Sequence, residues 1–240
     1  MRTLYSTLII VTLCSFIQQR PIALTYHTNM NSQDTTARHT LNYLALGDSY
    51  TIGEAVAADQ SYPYQLAAAL NKKGRRISSP TIIAKTGWRA DELIQGIANA
   101  NLSQKFDIVT MLIGVNNQYQ NIDTAIYRRE FAQLLKTCIY FTEGNKNHVF
   151  ILSIPDWGIT PFANGRNLEK IALQIDDYNR INKEESKKEG VNYVNITSLY
   201  RDIGDDPVYL SSDKLHPSAK MYEKWAKLLA SAIANQLKKD

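Results

Sequence analysis

The sequence predicts an α/β domain built on a central, mainly parallel five-stranded sheet. Short runs that are nearly continuous in apolar residues alternate with longer segments of helical period, as happens when strands are buried on both faces. The first, third and fourth runs stop directly at Gly or Pro, and the second leads within three residues to Gly87, residues that interrupt a strand. No repeat and no mid-chain linker breaks the alternation, so residues 41–240 read as one domain.

The elements follow in order. The run Leu41–Leu46 stops at Gly47-Asp48-Ser49, and a helix over about Pro63–Leu70 starts with Pro in its first turn and ends before Gly74. A second run, Thr81–Ala84, leads to Thr86-Gly87-Trp88 and a helix over about Ala90–Ala100. The third, Phe106–Ile113, stops at Gly114-Val115-Asn116-Asn117. In the helix that follows, about Asp123–Phe141, Phe131, Leu134, Leu135, Cys138 and Ile139 share one face, which makes Cys138 a core residue. The fourth run, His148–Ile154, ends at Pro155-Asp156-Trp157-Gly158. A polar helix over about Asn167–Glu189 comes next, and its charged end reads as a solvated face. The fifth run is Val191–Ile196, and a last helix, about Ser218–Leu237, is started by Pro217.

Composition removes several function classes. Lys and Arg total 27 against 23 Asp and Glu, a net charge of +4 that is too small and too scattered for nucleic acid. The only cysteines are Cys14 and Cys138, so a disulfide scaffold is excluded, and no Cys/His group has zinc spacing; no metal site is expected. His27, His39 and His148 have no partner at useful spacing. Residues 1–20, with Arg2 ahead of the apolar stretch Leu4–Phe16, read as a signal peptide, with a retained N-terminal anchor or lipid attachment at Cys14 as alternatives. Residues 21–40 are polar and without period, a linker to the domain. The expected location is therefore secreted or in the cell envelope, periplasmic in a bacterium.

In an open parallel sheet the ligand crevice lies beyond the carboxyl ends of the strands. Ser49, Gly87 and Asn116 follow the first three runs, and Asp213 and His216 precede the last helix. Acyl transfer needs these groups. Serine becomes a nucleophile when histidine takes its proton, and a carboxylate on the far ring nitrogen fixes the tautomer. Glycine N–H groups and an asparagine amide supply donors for the developing oxyanion. Asp213 and His216 are three residues apart, close enough for one short loop to fold the carboxylate onto the imidazole. A histidine ahead of a helix N-terminus gains nothing from the dipole when protonated, so capping explains His216 poorly. Asp48 reads as an acceptor within the turn.

The blocks Gly47-Asp48-Ser49, Gly87, Gly114-x-Asn116 and Asp213-x-x-His216 resemble, in order and spacing, those of the GDSL/SGNH hydrolase superfamily over about residues 41–237. The resemblance implies a flavodoxin-like three-layer αβα sandwich, the SGNH hydrolase fold. It implies Ser49 as nucleophile, His216 as base and Asp213 as its partner. The oxyanion hole would be the Ser49 and Gly87 N–H groups with the Asn116 side chain. Two positions depart from the pattern: Tyr50 where leucine is usual, and Asn117 where the third block ends in Asp. Tyr50, Trp88, Tyr119 and Trp157 are candidates for the substrate pocket, aromatics being core filler as well.

The expected substrate is a small-molecule, lipid or sugar carboxylic ester, with no cofactor. A carbohydrate O-acetyl esterase and a non-catalytic binding module on the same fold are the alternatives. No Gly-x-Ser-x-Gly elbow surrounds Ser49, which sets aside the α/β-hydrolase arrangement, and no glycine-rich nucleotide loop follows any strand.

Overall fold

The computed structural model describes residues 39–237. The signal-peptide and most of the linker assignments lie outside them. Five strands, β1 (Tyr43–Gly47), β2 (Thr81–Ala84), β3 (Ile108–Leu112), β4 (Val149–Leu152) and β5 (Asn192–Val194), form one sheet in the order β2-β1-β3-β4-β5. Every neighbouring pair is parallel, with Ala45 of β1 opposite Ile82 of β2 and Thr110 of β3. The expectation of a mainly parallel sheet thus becomes an all-parallel one.

All residues of β1, β3 and β4 are buried, which requires cover on both faces. Helices α2 (Tyr62–Lys72) and α8 (Ala219–Gln236) pack against each other. Helices α3 (Ala90–Ala100), α5 (Thr124–Phe141) and α6 (Leu168–Glu189) form a second packed row. Three short helices, α1 (Ser49–Ile52), α4 (Val115–Tyr119) and α7 (Thr197–Ile203), follow strand ends. Cys138 lies in the core, where burial pushes its thiol pKa up to about 12, so it is no nucleophile at neutral pH.

Two sequence expectations change. The charged end of α6 is not wholly solvated: Glu185 is buried, and Arg128 Nη1 on α5 lies 2.6 Å from its Oε1. Residues 182, 185 and 186 continue the buried stripe of the helix, and periodicity outranks charge there. Pro217 does not start α8. It bridges Leu210 in antiparallel fashion, and Ser218 occupies the N-cap.

The chain passes from β2, on one side of β1, to β3 on the other. That reversal opens a crevice above the carboxyl ends of β1 and β3. Gly47 ends β1 because a Cβ there would overlap the Thr51 hydroxyl and the Leu112 carbonyl oxygen.

Candidate active site

Ser49 is the first residue of α1, directly after β1. Asp48 caps that helix, its Oδ1 accepting from the Tyr50 N–H at 3.0 Å, and so holds the turn that presents the serine. Ser49 itself is not the cap. Asp48 is fully buried, its Oδ2 has no partner among the described residues, and burial pushes its pKa up to about 8. Burial thus favours the uncharged acid beneath the site.

His216 arrives from a loop closed at both ends. The Ser211 N–H donates to the His216 carbonyl at 2.8 Å, and the Ser218 N–H to the Tyr209 carbonyl at 2.8 Å. Asp213 Oδ1 accepts from the N–H groups of Leu215 and His216 at 3.0 and 2.9 Å. Its Oδ2 lies 2.6 Å from His216 Nδ1. An ionised carboxylate only accepts, so Nδ1 carries the proton and Nε2 presents its lone pair. That lone pair faces Ser49 Oγ at 2.9 Å. Partial burial opposes the charge on Asp213, but the His216 side chain and the two backbone donors outweigh it and hold the carboxyl below its ordinary pKa.

Ser49 and His216 open on a cavity of about 200 Å³, with Gly87, Asn116, Tyr119 and Trp157 also in its lining. Gly87 has φ +82°, a left-handed conformation that favours glycine. Asn116 Nδ2 donates to the Trp88 carbonyl at 3.0 Å. A carboxamide nitrogen has two N–H groups, so one remains for a ligand while the other fixes the amide plane. Asn117 is fully buried and its Oδ1 accepts from the Ala90 N–H at 2.9 Å. It supports the start of α3 instead of touching the cavity.

A family model for the GDSL-like lipase/acylhydrolase family matches residues 45–224. The chain belongs to that family. Among curated relatives of GDSL-like acylhydrolases, the spore germination lipase LipC of Bacillus licheniformis is 24% identical over 216 residues, covering 80% of this chain and 96% of that protein. Two solved structures share the fold. The lipase/acylhydrolase from Enterococcus faecalis superposes with a TM-score of 0.64 at 18% identity, over 82% of this chain and 97% of the other. Axe2, an acetylxylan esterase from Geobacillus stearothermophilus, gives 0.62 at 17% identity, over 80% and 94%. The chain is thus a GDSL-type member of the carboxylic ester hydrolases, with the expected αβα architecture.

Of the pocket aromatics read from the sequence of this GDSL-family chain, Tyr50, Tyr119 and Trp157 line the cavity. Trp88 does not. Its ring lies over Gly96 of α3, where a Cβ would overlap it. Tyr50 is nearly buried, and its ring centroid is 5.0 Å from that of His216. Thr86, Phe162 and Leu215 also line the cavity. The sequence reading missed Phe162 because it sits in a 3-10 turn, Pro161–Ala163, with no periodic signal. Thr86 donates a hydrogen bond to Glu54 at the same rim. His39, read as partnerless, meets Asp107 at 3.1 Å, 68 residues away in sequence. Among the described residues no group of three or more His, Cys, Asp or Glu is placed to hold a metal ion.

Proposed function

We propose that the protein hydrolyses carboxylic esters through an acyl-enzyme on Ser49. The supporting observation is the unbroken hydrogen-bonded sequence Asp213–His216–Ser49, at 2.6 and 2.9 Å, opening on a cavity. His216 Nε2 takes the Ser49 proton as Oγ attacks the ester carbonyl. The carbonyl oxygen gains the negative charge, and the Ser49 and Gly87 N–H groups and the free N–H of Asn116 are the donors assigned to it. Collapse expels the alcohol, which receives the proton from His216. Water, deprotonated by the same nitrogen, then releases the acid and restores the serine. Asp213 keeps Nδ1 protonated throughout and stabilises the imidazolium.

The test is an ester screen with wild type, Ser49→Ala and Asp213→Asn side by side, together with labelling by a fluorophosphonate. Ser49→Ala should abolish turnover and labelling. Asp213→Asn should lower kcat by up to ~10⁴ through loss of the correct tautomer. Folded wild type that neither turns over an ester nor labels at Ser49 would identify a binding module instead.

A carbohydrate O-acetyl esterase is the second reading, favoured by the rim of the cavity. Tyr119 and Phe162 are exposed at its mouth, where aromatic faces can stack on a sugar. Acetylated xylooligosaccharides against longer-chain acyl esters separate the two readings. We also propose export directed by residues 1–20, which the mass of the chain recovered from culture medium or envelope fractions tests.

A further inference from the structure

The aromatic wall of the cavity carries a cation. The guanidinium carbon of Arg166 lies 5.1 Å from the Tyr119 ring centroid, 5.2 Å from that of Trp157 and 5.7 Å from that of Phe162. Its Nη2 also donates to Tyr119 Oη at 3.0 Å. Three rings and one hydrogen bond thus fix the head group of an exposed side chain, and all three rings line the cavity that holds Ser49 and His216.

Three other partly buried arginines face carboxylates: Arg89 meets Asp91, Arg128 meets Glu185 and Arg201 meets Asp156. Arg166 has no carboxylate within ion-pair distance among the described residues. Of the acids near the lining, Asp156 is engaged by Arg201 and Asp213 by His216, Asp48 is buried beneath Ser49, and Glu54 accepts from Thr86 at the rim. A guanidinium has five N–H donors in a planar fork, and one is used at Tyr119. The Tyr119 oxygen accepts that bond, which leaves its own O–H free to donate. The rim therefore offers a forked cation and a phenolic donor side by side, the arrangement that binds a carboxylate or phosphate.

We infer that Arg166, together with Tyr119, selects ester substrates bearing an anionic oxygen group away from the scissile bond. This rests on the ester-hydrolase reading of the same cavity. The anion can belong to the alcohol or to the acyl side, and a carboxylate and a phosphate share the chemistry Arg166 recognises.

Matched charged and neutral esters test it on the full chain. 4-Acetoxybenzoate against its methyl ester places the charge on the alcohol, and 4-acetoxyphenyl phosphate against phenyl acetate does the same with phosphate. Mono(4-nitrophenyl) adipate against 4-nitrophenyl hexanoate places it on the acyl chain. In at least one pair the charged member should have the higher kcat/KM. Arg166→Gln should lower that charged-to-neutral ratio about tenfold, chiefly through KM, as loss of a hydrogen bond to a charged group does. Arg166→Lys should recover part of it, and raised salt should narrow the wild-type ratio. A ratio that stays within ~twofold in Arg166→Gln for every pair, or an equal fall in both members, overturns the inference and makes Arg166 a packing residue. Neutral esters still cleaved in a Ser49-dependent manner would leave the hydrolase reading standing in that case. Wild type inert on every ester would remove both.

Discussion

Replacing Asp48 by Asn should remove the contribution of one buried carboxyl from the pH dependence of stability. In the unfolded chain an aspartate has a pKa of 3.8, and burial raises that of Asp48 to about 8 in the folded protein. Between these values the native state holds a proton that the unfolded state has released. Wild-type stability therefore falls as pH rises through this window and levels off above about 8. Each pH unit corresponds to ~1.4 kcal/mol for one full proton, so a window of about 4 units sets an upper bound near ~6 kcal/mol. Asparagine keeps the acceptor for the Tyr50 N–H and carries no proton to lose. The stability of Asp48→Asn minus that of wild type should thus climb from pH 4.5 to pH 7.5, other titrating groups cancelling in the difference. Urea unfolding followed by circular dichroism across that range measures it. Parallel curves for the two proteins would refute the claim that Asp48 is buried and neutral beneath the site.

Asn116→Ala removes the side-chain donor assigned to the oxyanion and should lower kcat by ~10²–10³ with an unchanged fold; steady-state kinetics on an activated ester would show it, and an intact kcat would take Asn116 out of the machinery. Tyr127→Phe is a stability change. The Tyr127 hydroxyl lies 3.1 Å from the Ile113 carbonyl and 2.6 Å from Asn182 Oδ1, all buried. The single O–H donated between these two buried acceptors would be lost, at a cost of ~1–3 kcal/mol in urea unfolding, while ester turnover by folded protein should persist.

The strands were legible because burial of the central ones on both faces makes their runs predominantly apolar, and the longer helices because Phe131, Leu134 and Cys138 repeat at helical spacing. Ser49, Asn116 and His216 were legible through their places beyond strand ends and in short blocks. What the residues beyond those blocks would do was harder to read. Trp88 follows a strand end as Tyr119 does at one remove, yet its ring turns onto Gly96, a gap that only the packed helix creates. Phe162 and Arg166 lie between β4 and α6, where no period marks which side chains face inward. Glu185 reads as solvent-exposed by composition and is buried by its place in the helical repeat, with Arg128 brought to it from another helix. The partnership of His39 with Asp107 depends on where two distant segments meet at the opposite end of the sheet. Spacing along the chain carries no trace of that.

The Ser49–His216 contact joins positions 167 residues apart, and the imidazole enters the chain only just ahead of its final helix. A polypeptide still being synthesised therefore carries the Ser49 hydroxyl without this hydrogen-bond partner until residue 216 has been made. Products truncated before residue 216 would lack the Ser49–His216 contact, and by the proposed mechanism they would never turn over an ester.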